Sequence, residues 1–192
     1  MLRESGARGP PHFGLPGLSA PVRVPIDRWG VPHIYAQSEH DLFFAQGAIH
    51  ARERLFQLDL LRRAGRGRLS EIFGQAALDA DRYFRRLGIG RVADAERALL
   101  DTGTAAVFDA YAQGINAATR TQGRPFEHRL LRAPVDPWTI ADSLVCGRMM
   151  ALTLSGSWEA DMARLDLVSA LGAERAGPPA QGVGRPTAGQ AR

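Results

Sequence analysis

Between Thr139 and Leu154 the chain reads TIADSLVCGRMMALTL, and on a helix Ile140, Leu144, Val145, Met149, Met150 and Leu152 leave almost no polar face. Such a helix is expected to be buried nearly all round, and that requirement bounds every fold open to the chain. The remaining elements offer little cover. Val22, Val24 and Ile26 alternate with Arg23 and Pro25, Asp27-Arg28-Trp29-Gly30 supplies a turn, and Val31 to Ala36 resumes an extended run, which predicts a hairpin with Pro25 and Pro32 at edges or irregular points. Two strands do not make an independently stable sheet. The chain is therefore expected to be α+β, mostly helical with an N-terminal hairpin, and to be part of something larger.

The helical pattern is otherwise regular. Ser38 with Asp41 three residues on resembles a capping pair and opens a long amphipathic run through Leu42, Ala45, Ile49, Phe56 and Leu60, with Gly65 and Gly67 expected to end it. Short turns broken at Gly74 are expected from Arg66 to Arg86, then helices over Ala93 to Leu100 and Thr104 to Thr119. Ser157 can cap one more, ending at Gly172. Residues 1–14 are expected to be a flexible arm, 15–176 the folded region, and 177–192, with four glycines and three prolines, a tail without a packed core.

Composition removes several function classes. The 192 residues are 45% hydrophobic and 23% charged, as in ordinary globular proteins. No lysine occurs, so all 24 basic residues are arginines, and the net charge of +4 is spread rather than gathered on one face with aromatics, which disfavours a nucleic-acid partner. Cys146 alone excludes an internal disulfide and a cysteine-rich zinc site. Neither a membrane span nor a secretory signal is legible, so a cytoplasmic chain with no membrane partner is expected.

The single motifs are weak. The five histidines show no metal-ligand spacing. Arg62, Arg63, Arg66 and Arg68 could meet phosphate, but Glu71, Asp79 and Asp81 follow at once, and a solvated or salt-bridged helix end is the expectation. Gly88-Ile89-Gly90 is too short for a dinucleotide loop, Ser155-Gly156-Ser157 lacks the flanks of a nucleophile elbow, and Cys146 sits among apolar neighbours where a thiol is usually inert. No nucleophile meets a base in these motifs.

An ordered set of motifs is more specific. Asp27-Arg28-Trp29-Gly30-Val31-Pro32-His33-Ile34-Tyr35-Ala36, Asp41 to Gly47, His50-Ala51-Arg52-Glu53-Arg54-Leu55-Phe56-Gln57-Leu58-Asp59 and Gly67 to Gly74 come first. Tyr111 to Asn116 and Pro137-Trp138-Thr139 follow in order. Together they resemble the amino-terminal part of the penicillin acylase (penicillin amidase) family over about Gly17 to Ala176.

The resemblance implies an N-terminal nucleophile hydrolase: a precursor folded as an αββα sandwich and cut by itself into a small α chain and a large β chain. The new β-chain terminus, usually serine, attacks a linear amide with its own α-amino group as base. This sequence resembles the α chain only, so a β chain of the same precursor and a small-molecule amide substrate are the implied partners. No catalytic residue is implied in it, and a catalytically inactive truncated relative is the alternative. The resemblance further implies that Met149, Leu152 and Thr153 line the acyl pocket and that Glu159 reaches a structural calcium shared with the β chain. By its position alone, Glu159 is equally an exposed glutamate at the positive end of a helix. Leu152 and Thr153 stand where the best-known penicillin G acylases carry arginine and phenylalanine, so an aliphatic acyl group is as plausible as the benzylpenicillin side chain. Arg54, Arg62 and Arg63 are expected to pair carboxylates at the α–β interface.

Overall fold

The computed structural model describes residues 12–13, 15–156, 158–172 and 175, and the side chains of 12, 13, 158 and 159 are not among what it describes. The tail expected from 177 and the proposed cap Ser157 lie outside the described residues. Two units divide between Ala151 and Leu152.

In the first unit β1 (His12–Phe13) pairs antiparallel with β2 (Val22–Arg23), so order begins two residues inside the stretch expected to be an arm. The expected hairpin is present as isolated antiparallel bridges, Arg23 with Tyr35 and Ile26 with Pro32, rather than as full strands. Its turn is held by Asp27, whose Oδ1 accepts the N–H groups of Trp29 and Val31 at 2.8 and 2.9 Å. Val22 and Val24 are buried against Ala45 and Ile49 of the first helix.

That helix, α1 (Glu39–Arg66), starts as expected, with the Ser38 hydroxyl accepting the Asp41 N–H at 3.1 Å. It ends at Gly67 in the left-handed region, φ 64°, where a side chain would be strained. Gly65 does not end it. It lies inside the helix and is buried, because a methyl group there would overlap Val145 and crowd Met149. α2 (Ser70–Phe73), a 3₁₀ turn at Gly74–Ala77 and α3 (Leu78–Leu87) form the expected broken segment, and α4 (Ile89–Arg97) follows.

α5 (Thr102–Gln122) packs along α1 with small residues between the axes: Ala48, Ala51 and Leu55 meet Ala112, Ile115 and Ala118 under Trp138. A short helix that the sequence pattern does not announce, α6 (Phe126–Leu130), precedes the loop to α7 (Ile140–Leu154). On α7 Leu144, Val145 and Met149 join Ala93 in a core cluster, with Leu61, Ala64 and Phe84 packed beside it. The expectation of all-round burial is corrected here. Met150 is 55% exposed and Leu154 77%, because the elements of this chain cover one side of the helix only.

The second unit holds the last residues of α7 and α8 (Trp158–Leu171). Met162, Leu165, Leu167 and Leu171 on α8 are all exposed. No described helix is long and apolar enough to cross a membrane.

Candidate functional site

α7 begins in a reciprocal cap. The Thr139 N–H donates to Asp142 Oδ2 at 2.9 Å, and the Asp142 N–H donates back to Thr139 Oγ1 at 3.3 Å. Ten residues into the helix, Met149 is 8% exposed and lies over Gly65, so it is a member of the first unit's core. Leu152 is half-buried and Thr153 exposed, and both belong to the second unit. The three residues share one helix, but each is placed within its own unit. Glu159 falls in the first turn of α8, with its side chain outside what is described.

Beneath α7 lies a knot of buried charge. Asp59, fully buried, accepts from Arg62 Nε at 2.7 Å and Arg63 Nε at 2.8 Å, and His128 Nε2 lies 3.2 Å from its second oxygen. Arg62 continues to the Asp136 carbonyl at 2.9 Å and to Asp142 Oδ2 at 3.3 Å. Arg63 reaches the Pro134 carbonyl at 2.9 Å and also donates to Glu71. Arg66 joins Asp142 at 3.0 Å to Asp94. Each arginine thus ties the end of α1 to a segment some 70 to 80 residues away.

Burial opposes the Asp59 charge, but the hydrogen bonds from Arg63 and the charge and hydrogen bond of Arg62 outweigh it, and the carboxyl is held below the ordinary range. This corrects the expectation that Arg62 and Arg63 pair across an interface: both are buried inside the chain with partners of their own. Arg54 is exposed, at a non-helical point within α1 where φ is −142°. The expected salt-bridged helix end is present in Arg68, whose Nε donates to Glu71 at 2.6 Å.

Residue types alone do not point to His128. It sits in a five-residue helix, edge-on to Phe56 at 5.2 Å, and its Nδ1 is buried with no hydrogen-bond partner. Asn116 is equally silent in sequence, yet its amide forks around the Trp138 backbone, donating to the carbonyl at 2.9 Å and accepting the N–H at 2.7 Å. The indole of Trp138 then stacks under the Arg62 guanidinium at 5.1 Å.

Nucleophile candidates are disposed of by their surroundings. Burial, with the nearby Asp142 charge, pushes the Cys146 thiol up to about 12, far from a reactive thiolate. Ser155 Oγ donates to the Leu152 carbonyl at 2.9 Å, as a helix-end serine does. His50 Nδ1 meets the Tyr111 hydroxyl at 2.8 Å, a phenol whose ionisation burial raises to about 12. Among the described residues no three His, Cys, Asp or Glu side chains converge on a possible metal position.

Known proteins share this arrangement. The family model for penicillin amidase matches residues 21–182. Penicillin acylase 2 proenzyme of Pseudomonas sp. (strain SE83) is 40% identical over 153 residues, covering 78% of this chain and 20% of that protein. An acyl-homoserine lactone acylase of Pseudomonas syringae pv. tomato is 30% identical over 165 residues, 85% of this chain and 20% of its own length. The chain thus spans about a fifth of the relatives it matches. In structure it is similar to a thermostable penicillin G acylase from Alcaligenes faecalis, with a TM-score of 0.65 and 26% identity over 81% of this chain and 86% of that one. With the family model matched over most of its length and the helical fold shared with a solved acylase, the chain belongs to the penicillin amidase family.

Proposed function

We propose that this chain is the smaller part of an amide-hydrolysing acylase whose nucleophile is the N-terminal residue of a second, larger chain cut from the same precursor. One comparison of coverage carries this reading. The match fills 86% of the solved penicillin G acylase chain but only 20% of the Pseudomonas proenzyme, as a small chain released from a long precursor would. The uncovered flank of α7 and the exposed Leu99, at 83%, support it, since apolar surface of this extent is usually met by a partner.

In this reading the helices pack on the sheets of an αββα sandwich, and Met149, Leu152 and Thr153 face the acyl group of the substrate. The second chain's α-amino group, with a pKa near 8 in the free state, takes the proton as its side chain attacks the amide carbonyl, giving an acyl-enzyme that water then hydrolyses. Leucine and threonine at 152 and 153 offer neither a cation for a substrate carboxylate nor an aromatic wall, which favours an aliphatic N-acyl amide over benzylpenicillin. Glu159 would give one oxygen to a structural calcium, which needs six to eight. Since no three candidate ligands converge among the described residues, the others would come from the larger chain.

Intact-mass analysis of the protein from its native source tests the proposal, together with hydrolysis of a graded series of N-acyl amides. A larger chain copurifying with the small one, and amide cleavage by the pair, is the expected result. A lone species of this chain's 20.8 kDa would instead mark a catalytically inactive fragment, and cleavage by the isolated chain would remove the two-chain mechanism.

A further inference from the structure

At the C-terminal end of α1 an open cleft of about 520 Å³ is walled by five arginines, Arg62, Arg66, Arg68, Arg85 and Arg91, against three aspartates. The aspartates are already engaged: Asp142 holds Arg62 and Arg66, Asp94 holds Arg66, and Asp136 holds Arg68. Two cations remain. Arg85 gives its Nε to the Gly67 carbonyl at 2.8 Å, and none of the described carboxylates lies within ion-pair distance of its terminal nitrogens. Asp81, which feels the charge of Arg85, has its oxygens occupied by the N–H groups of Leu69 and Ser70 at 2.7 and 2.8 Å. Arg91 has no ion-pair partner among the described residues.

These side chains are held in place rather than trailing in water. A Cβ on Gly67 would meet Arg85 Cγ, one on Gly88 would lie 2.8 Å from the Arg91 guanidinium, and one on Gly90 would lie 3.3 Å from Arg66 Cγ. Three arginines thus each cross a bare glycine backbone at the same cleft. Those crossings account for the Gly67, Gly88 and Gly90 spacing that no dinucleotide loop explains.

Two uncompensated guanidinium groups in a concave, pre-set wall match an anion with two charges and several acceptor oxygens, because each guanidinium can donate two parallel hydrogen bonds to it. We infer that this cleft binds a tetrahedral oxyanion of the phosphate or sulfate class. The inference is independent of the acylase reading.

Isothermal titration of the 192-residue protein with inorganic phosphate, and separately with acetate, at fixed ionic strength and mildly alkaline pH tests it. Saturable one-to-one phosphate binding that acetate does not reproduce is expected. The double substitution Arg85→Ala with Arg91→Ala, at two exposed positions outside the buried charge knot, is expected to weaken binding at least tenfold with an unchanged far-ultraviolet spectrum. Asp94→Asn, which removes a competing carboxylate from Arg66, is expected to tighten binding several-fold, a gain that damage to the fold would not produce. Absence of saturable binding, equal binding by the double variant, or equal binding of acetate would each overturn the inference.

Discussion

Gly47 of α1 and Gly114 of α5 stand back to back: a Cβ on Gly47 would fall on the Tyr111 carbonyl oxygen, and one on Gly114 would fall on the Phe44 carbonyl oxygen. The two helices therefore touch backbone to backbone, and neither position has a flexible side-chain end that could give way. Gly47→Ala or Gly114→Ala is expected to destabilise the fold by about 3 kcal/mol or more, since the axes must part along a contact lined with alanines. Urea denaturation checks this, with Gly123→Ala, which meets nothing within 4 Å but has a φ of 73°, as a comparison for backbone strain without overlap.

Asp59→Asn is expected to cost about 3 to 5 kcal/mol, because it leaves Arg62 and Arg63 buried with their shared anion gone. His128→Leu should cost less, about 1 to 3 kcal/mol, as the histidine contributes one contact to Asp59 and a ring edge to Phe56. Denaturation midpoints of the two variants and their double order these costs. Additive losses would show that Asp59 and His128 act separately rather than in one network.

Stability is expected to fall on the acid side. Asp41 is held low by the Ser19 N–H against a burial cost, with His40 and the Ala20 N–H assisting, and Asp59 is held low by its arginines against its own burial. A carboxyl whose folded pKa lies below its unfolded value, about 3.9, binds fewer protons in the folded state in that range. Its contribution is complete above roughly pH 5 and drains away as pH drops through the folded value. Midpoints measured from pH 7 to pH 3 should decline, and more gently in Asp59→Asn, which no longer has that group to titrate.

If the acyl-pocket reading holds, Leu152→Arg with Thr153→Phe should raise the ratio of kcat/KM for aromatic over aliphatic acyl amides at least tenfold in the assembled enzyme. Both side chains lie outside the first unit's core, so the fold should tolerate the change. Met149→Ala is different, since Met149 is buried against Gly65. It should lower stability by about 2 to 4 kcal/mol, which a melting curve separates from any effect on turnover.

Local signals were the legible part. Ser38, Gly67 and the apolar spacing between them mark α1 because a cap, a left-handed stop and a 3.6-residue period each act within a few residues. The same holds for the turn at Asp27 and the broken helix around Gly74. The family was legible too, because motifs in a set order carry information that no single one does. Composition could not separate a solvated arginine run from a buried one. Arg62 and Arg63 look like surface residues until Asp136 and Pro134, more than 70 positions away, present their carbonyls.

Residue order alone settled where this chain makes helices, where they stop, and to which family it belongs, since all of that follows from neighbours along the backbone. Folding in three dimensions decided which charges are buried, why Gly65 lies beneath Met149 instead of ending a helix, which flank of α7 is left bare, and that two arginines face a cleft without counter-ions. The division is physical. Capping and periodicity are short-range, whereas desolvation and ion pairing depend on what arrives from far along the chain, and no local pattern records it.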